Sequence, residues 1–226
     1  FGGTAFDRVL VIATRMNANA IVTGFFESAS VDFGGGARAN IGFGDVFMAT
    51  YAAADGSYVD DDVFATGSHD QGWGIAVSAT DEVYLCGTSE AGIDFGGGAV
   101  ANAGSWDAFA VKFDNTVAHV WSTSAGGTGL DQAHACALGP SDDLLVTGFF
   151  QSATMSWGTT TLNNPNTNDE SVGARLATAT GAEVWAVDQA DDTSFNRGEA
   201  IAYGGGDVII GGYFSVGLHF GRAVSP

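Results

Sequence analysis

A unit of about 62 residues repeats in tandem along this chain. Two sets of landmarks keep that spacing. A glycine recurs at intervals of 63, 61 and 64 residues, at Gly24, Gly87, Gly148 and Gly212. An aromatic residue recurs at intervals of 62, 62 and 63 residues, at Phe33, Phe95, Trp157 and Phe220. The agreement predicts one repeat domain over residues 1–226, with units at approximately 4–66, 67–127 and 128–190 and an incomplete unit at 191–226.

The second copy shows what a unit contains. Its apolar runs are Asp70–Val77, Val83–Gly87, Asp107–Phe113 and Val117–Thr123, with a glycine hinge at Asp94–Gly98. The chain has 34 glycines and 3 prolines, many branched and aromatic residues, and a single lysine. This composition suits strands joined by glycine-rich turns better than helices. Four strand-like runs per unit therefore predict an all-β protein.

A four-stranded antiparallel unit repeated in tandem is typical of the blades of a β-propeller. One blade cannot bury both of its faces, so neighbouring blades stack and share their apolar residues. A β-solenoid is the alternative, but Asp55-Gly56 between two apolar runs predicts a hairpin and favours meandering antiparallel strands. About three and a half blades are fewer than a closed ring needs. We therefore expect a part of a larger ring, or self-association that completes one.

The motifs of the second unit follow a recognisable order. Asp70 and Ile75-Ala76 are followed by Val83–Ser89, then by Trp106–Lys112, then by Trp121–Gly127. This order resembles the SBBP-type β-propeller repeat, and more narrowly the Phe-Gly-Gly-Gly-containing repeats of secreted or lipid-anchored bacterial surface proteins. The resemblance covers nearly the whole chain and implies a propeller at the cell surface or outside the cell. It implies no catalytic residues.

Two features depart from that family's pattern. The hinge of the third unit is changed around Trp157, and the fourth unit lacks its third and fourth strands. The second departure bears on whether this chain alone can close a ring.

The formal net charge is −19, from 26 acidic and 7 basic residues. Such a surface repels phosphate backbones and anionic lipid headgroups, so nucleic acid and membrane surfaces are poor partners. The sequence contains no apolar run of the length that membrane insertion needs. Aspartate suits turns, where it bonds its own backbone, and this accounts for much of the charge. Adaptation to a saline medium, or cation binding, is the alternative explanation.

Ligands of propellers usually bind near the start of the innermost strands. If the first strand of each unit is innermost, the aligned residues there are Asp7, Asp70, Asp131 and Asn196. Together they would form a ring of oxygen donors, which Ca²⁺ prefers as ligands. The alternative, which we favour, is that each aspartate bonds backbone N–H groups of its own unit.

Another aligned position lies three residues further along each first strand. It is occupied by four different residues, Leu10, Trp73, His134 and Glu199. Variation at one rim position suggests a ligand preference, and an aromatic ring near acids suits sugars. Trp73 and His134 are therefore candidate ligand-binding residues, although packing is the more common role of a tryptophan in such a strand.

No motif in the sequence predicts catalysis or a tightly bound metal. The four histidines lack metal-ligand spacing, and Cys86 and Cys136 are predicted to be small buried residues, with a disulfide left open. We expect a non-catalytic extracellular or cell-surface module that needs no cofactor and binds a protein or glycan on its rim. A lectin-like, Ca²⁺-assisted glycan binder is the alternative, and a hydrolase or lyase is a third reading.

Overall fold

The computed structural model describes residues 2–188 and 195–214. The predicted all-β class is confirmed: the described residues form antiparallel sheets and contain no α-helix. The strands of the first repeat are β1 (Asp7–Thr14), β2 (Ala20–Phe26), β3 (Ser30–Asp32), β4 (Ala37–Ala39), β5 (Asp45–Tyr51) and β6 (Tyr58–Phe64). The strands of the second are β7 (Asp70–Val77), β8 (Val83–Ser89), β9 (Asp107–Phe113) and β10 (His119–Ala125).

The third repeat has two short strands in its hinge, as the first has. Its strands are β11 (Asp131–Leu138), β12 (Leu144–Phe150), β13 (Thr154–Met155), β14 (Leu162–Asn163), β15 (Glu170–Leu176) and β16 (Glu183–Asp188). The fourth repeat contributes β17 (Asn196–Gly204) and β18 (Asp207–Phe214). The hinge expected at 218–221 lies outside the described residues.

Each of the first three repeats makes one four-stranded sheet. The hydrogen-bonded orders are β1-β2-β5-β6, β7-β8-β9-β10 and β11-β12-β15-β16, and β17 pairs with β18. We number these sheets one to four. Their first strands pack side by side, with β7 in contact with β1 and β11, and β17 in contact with β11.

Apolar side chains fill the space between successive sheets. Between sheets one and two, Ile21 and Met48 belong to the same buried cluster as Leu85 and Phe109. Between sheets two and three, Tyr84 and other residues of sheet two cluster with residues of β12 and β15. Full burial of one large apolar side chain contributes roughly 1.5–3 kcal/mol to folding. Two of the core clusters are therefore layers shared by two sheets, whereas a third, around Phe26 and Phe47, lies within the first repeat.

The glycine hinge is a turn that delivers an aromatic ring to these layers. Oδ1 of Asp94 accepts hydrogen bonds from the N–H groups of Gly96 at 2.7 Å and Gly98 at 2.9 Å. Both glycines have positive φ, +103° and +100°, which favours glycine. The turn places Phe95 in the cluster between sheets one and two. Asp32 makes the same turn in the first repeat.

The recurring glycine of the second strand is explained by a β-bulge in the first. In β7, Gly72 pairs with Gly87 and Gly74 pairs with Cys86, so Trp73 has no partner in the ladder. At this bulge the carbonyl oxygen of Gln71 points at Gly87, where an added Cβ would lie 2.0 Å from it. An added Cβ would likewise lie within 2 Å of the equivalent carbonyl oxygen at the other three recurring glycines, Gly24, Gly148 and Gly212.

Trp121, Trp157 and Trp185 occupy apolar or ladder positions of the repeat, which predicts that they lie in the core, whereas Trp106 is predicted to lie outside it. The two cysteines are also expected in the core. Trp121 and Trp157 are buried, but Trp185 is half-buried, so its prediction as a core residue was wrong in degree. Cys86 is buried, Cys136 is partly buried, and both are free thiols. Burial raises the pKa of Cys86 well above the ordinary thiol value, and the neighbouring Cys136 raises it further.

Candidate functional site

The aligned residues Asp7, Asp70, Asp131 and Asn196 stand at the starts of the four first strands. In the second, third and fourth repeats, the backbone N–H of this residue donates a hydrogen bond to a carbonyl of the preceding repeat. Asp70 donates to Gly44 at 2.7 Å, Asp131 to Trp106 at 2.7 Å, and Asn196 to Asp169 at 2.8 Å. These bonds recur at every junction between sheets. The position therefore links each sheet to the next.

The carboxylate of Asp131 is held by its own sheet. Its Oδ1 accepts the N–H groups of Gln151 and Ser152, both at 3.1 Å. Its Oδ2 accepts the Ser152 hydroxyl at 2.5 Å and the Gly127 N–H at 2.7 Å. Asp131 is buried. Such a carboxylate satisfies backbone donors at a turn, as the favoured alternative expected.

Asp7 and Asp70 make the same kind of contacts. Asp7 accepts the N–H groups of Gly3 and Glu27 and both the N–H and the hydroxyl of Ser28. Burial acts to raise the pKa of Asp7, but these hydrogen bonds outweigh it and the pKa is lowered. Asp70 accepts the Ser89 hydroxyl and the Thr66 N–H at 2.7 Å. Ligand binding by these carboxylates stays a prediction.

Sequence reasoning missed a second set of acids, at the start of the third strands. Asp45 and Asp107 are both buried, and in each one carboxylate oxygen, Oδ1, is buried without a hydrogen-bond partner. Burial raises the pKa of each to about 6, and the charges of Asp70 and Asp131 respectively add to the effect. In the sequence, an aspartate at the first position of a strand resembles a turn residue, so the burial of Asp45 and Asp107 could not be predicted.

The structure places the four residues of the variable position at equivalent β-bulges. Leu10, Trp73, His134 and Glu199 are the bulged residues of β1, β7, β11 and β17, each skipped by the pairing with the second strand. A bulge redirects its side chain without using it in the ladder. We call these four residues the bulge row.

Three members of the bulge row touch in sequence. The rings of Trp73 and His134 lie 5.1 Å apart at an interplanar angle of 36°. Nδ1 of His134 lies 3.0 Å from Oε2 of Glu199, and Nε2 lies 3.1 Å from the side-chain oxygen of Gln132. Glu199 keeps 49% of its side chain exposed. The bulge row thus contains the aromatic pair of Trp73 and His134, with the imidazole fixed by two hydrogen-bond partners, and the exposed carboxylate of Glu199.

The electrostatics of the row depend on burial. Burial lowers the pKa of His134, although the charge of Glu199 and the hydrogen bond to it oppose the change. The neutral ring can donate its single proton to Glu199. Arg197 lies over the ring of Phe149 at 4.2 Å and pairs with Asp169 at 2.5 Å, so its charge is balanced beside the row.

A second aromatic group lies at the junction of sheets one and two. Phe43 stacks on His69 at 5.2 Å, and His69 stacks on Trp106 at 5.7 Å, with interplanar angles of 22° and 25°. Phe43 is 66% exposed. Trp106 was expected outside the core, and the structure leaves it partly exposed in this stack.

Within the described ranges 2–188 and 195–214, no group of three or more His, Cys, Asp or Glu side chains is arranged to hold a metal ion. No helix in the same residues has the length and apolarity that crossing a bilayer would require. Neither models of known protein families nor curated proteins gave a match to this chain, so its resemblance to SBBP-type repeats stays a prediction.

Proposed function

We propose that the chain forms consecutive blades of a β-propeller and acts as a non-catalytic binding module outside the cell or at its surface. The packing of successive sheets through their first strands supports the propeller. So does the hydrogen bond that links each sheet to the next at the same aligned position. The location follows from the resemblance to SBBP-type repeats. Further blades, from a longer chain or from self-association, would complete the ring.

The contact of Trp73 with His134 and of His134 with Glu199 carries the proposal of a binding site. These residues come from three sheets and are redirected by bulges. None of them is needed for strand pairing. Glu199 keeps 49% of its side chain exposed and Trp73 is partly exposed, whereas the side chain of His134 is 9% exposed and supports the other two from below the surface. Because the bulge row is assembled from successive repeats, a ligand there would contact several blades at once.

The chemistry of the row supports binding more than catalysis. The hydrogen-bond partners of His134 are the side chains of Glu199 and Gln132, and neither is a hydroxyl or thiol nucleophile. Its lowered pKa favours the neutral ring and so a hydrogen-bonding role.

Glycan binding is a second candidate, favoured by the indole of Trp73, the carboxylate of Glu199 and the amide of Gln132, which all contact His134. An aromatic ring suits the apolar face of a sugar, and the carboxylate and amide suit its hydroxyls. The three first-strand aspartates are occupied by hydrogen bonds of their own sheets. We therefore expect such binding to need no Ca²⁺.

A glycan array tests both candidates. Wild type, Trp73→Ala and Glu199→Gln would be compared with and without EDTA, with Leu10→Ala as the matched change at the apolar member of the row. Binding that falls at least tenfold in the first two variants, and persists in Leu10→Ala and in EDTA, supports glycan binding at the row.

The other outcomes are also decisive. If EDTA abolished binding and the variants of the bulge row did not, the binding site would be the first-strand aspartates with a bound cation. An array without hits would remove the glycan candidate and leave a protein partner, for which cross-linking at Glu199 gives the test. Turnover of a glycan that is lost in one of these variants would overturn the non-catalytic proposal.

A further inference from the structure

We propose that the outer edge of β10 binds an extended peptide segment of a partner, which adds to sheet two as a further strand. This site lies at the opposite side of the sheet from the bulge row, since β7 is the first strand and β10 the last. It does not depend on the function proposed for the row.

An open groove of about 490 Å³ follows this edge. One wall is the hinge at residues 97–101, and the other is β10 at residues 119 and 121–124. Consecutive residues of a strand send their side chains to opposite faces. A groove lined by four consecutive residues therefore follows the edge of the strand, where backbone groups are available. Its volume lies in the usual range of ligand sites, roughly 300–1,000 Å³.

In the first repeat a side-chain hydrogen bond ties the hinge to the outer strand. The ring of Tyr58 lies against Gly34 and Gly35, and its hydroxyl donates to Asp61 at 2.6 Å. Arg38 reaches from the hinge and donates to the same carboxylate at 2.6 Å. The buried Asp61 thus joins the hinge to the outer strand β6.

The third repeat makes this connection by another route. Oε2 of Glu183, on β16, accepts the N–H groups of Thr159 at 2.7 Å and Thr160 at 2.9 Å. The Thr160 hydroxyl also donates to this carboxylate. Here too a charged side chain ties the hinge to the outer strand.

The second repeat has the same hinge and outer strand but no charged side chain that connects them. Pairing of the outer strands aligns Tyr58 with His119 and Asp61 with Ser122. The ring of His119 lies against Gly97 as the ring of Tyr58 lies against Gly35, and Nε2 of His119 lies 3.0 Å from the Ser122 hydroxyl, so the pair is kept. Val100 stands where the first repeat has Arg38. Among the described hydrogen bonds, none connects residues 97–101 with β10. The groove therefore lacks the charged connection that the first and third repeats have.

The composition of the edge points to a peptide strand. β6 carries three consecutive aspartates, and β16 carries Glu183 and Asp188, charges of the kind that protect edge strands from pairing. β10 has the sequence HVWSTSA, without Asp, Glu, Lys or Arg. Its outer backbone groups have no strand neighbour among the described residues. An added strand would satisfy them by main-chain hydrogen bonds.

Charge selects among possible segments. The chain carries a net charge of −19, which opposes an acidic peptide and attracts a basic one. β10 is 7 residues long, so the segment is an extended stretch of about six residues, neutral or basic, with small side chains facing the hinge.

The experiment selects binders from a displayed library of random hexapeptides on wild type, with counter-selection on Val100→Arg/Ser122→Asp. This double variant places the Arg38–Asp61 pair of the first repeat in the second. Ser124→Lys, which puts a charge on the edge, is a second blocked variant. Selected peptides would then be synthesised with and without N-methyl groups on alternate amides. Hydrogen exchange of the amides of residues 119–125 would be measured with each.

We expect selected peptides to slow hydrogen exchange of the β10 amides at least tenfold. Their affinity for the wild type should fall at least tenfold when the peptide is N-methylated, and the unmodified peptides should bind both blocked variants at least tenfold more weakly than the wild type. Selected peptides that protect amides elsewhere, or that bind the N-methylated form equally well, would overturn the proposal. So would a library without binders that distinguish wild type from Ser124→Lys. The exchange data come from wild type, so the test holds even if the double variant fails to fold.

Discussion

The carboxylate of Asp107 lies within electrostatic reach of that of Asp131, across the junction between sheets two and three, and the charge of Asp131 helps to raise its pKa. The two acids have opposite surroundings. Asp131 accepts hydrogen bonds on both oxygens, whereas Oδ1 of Asp107 is buried without a partner. One junction therefore holds a carboxylate that accepts hydrogen bonds on both oxygens and one whose pKa is raised by burial.

Asp107→Asn should remove a pH dependence of stability. The folded-state pKa of Asp107 is raised from 3.8 to about 6, so its contribution to stability is complete below about pH 4 and is lost as the pH rises through 6. Between pH 8 and pH 5, wild type should gain about 1 kcal/mol from this group, and the variant should not. Urea unfolding at both pH values measures the difference.

Asp45→Asn should behave in the same way, because Asp45 holds the equivalent place in sheet one. Asp207→Asn, at an exposed position, gives the background. Parallel pH profiles for wild type and both buried variants would contradict the assignment.

Asp131→Asn should destabilise the fold at pH 7. An amide replaces one acceptor oxygen by a donor, which then faces N–H or O–H groups that also donate. A buried donor left in this way costs roughly 1–3 kcal/mol. Asp114→Asn is the matched control, since Asp114 also accepts backbone N–H groups but at an exposed turn. Equal losses in the two variants, by thermal or urea unfolding, would count against a special role of the buried position.

Gly87→Ala should be strongly destabilising. Its new Cβ would lie 2.0 Å from the carbonyl oxygen of Gln71, and backbone cannot move aside as a flexible side chain can. We expect a loss of roughly 3 kcal/mol or more, or failure to fold. Gly67→Ala has open space around it and should change stability little. If the two variants melt at the same temperature, the steric account of the repeat glycine is wrong.

The thiol of Cys86 should be inert in the folded protein. Burial raises its pKa, and the thiolate is the reactive form. With Ellman's reagent at pH 8 we expect slow or absent reaction of Cys86 before denaturation, and rapid reaction of both cysteines in urea. Cys136→Ser isolates the signal of Cys86. Fast labelling of that variant under native conditions would contradict the buried site.

Several strand boundaries could be predicted closely because polar turn residues mark where the apolar runs begin and end. β7 and β9 begin and end where the sequence places them, at Asp70–Val77 and Asp107–Phe113. β10 was predicted from Val117, but it begins at His119. Val117 has a φ of +65° in a turn held by Asp114, and nothing in its side chain announces that conformation.

The sites were less accessible to sequence reasoning. The alignment placed Trp73, His134 and Glu199 at one position, but their contact depends on bulges that only the pairing of two strands reveals. The open groove beside β10 depends on how far a hinge stands from an outer strand. Such distances between elements are set by packing and have no local pattern in the sequence.

The bulge separates what a repeat must keep from what it is free to change. Its glycine and its aspartate maintain the backbone, while the bulged side chain contributes nothing to the ladder and can be replaced without altering the frame. Within this chain that place holds Leu10, Trp73, His134 and Glu199. Each repeat thus carries one residue that can differ between copies outside the ladder, so duplicated repeats can diverge in surface chemistry while they keep the same strand pairing.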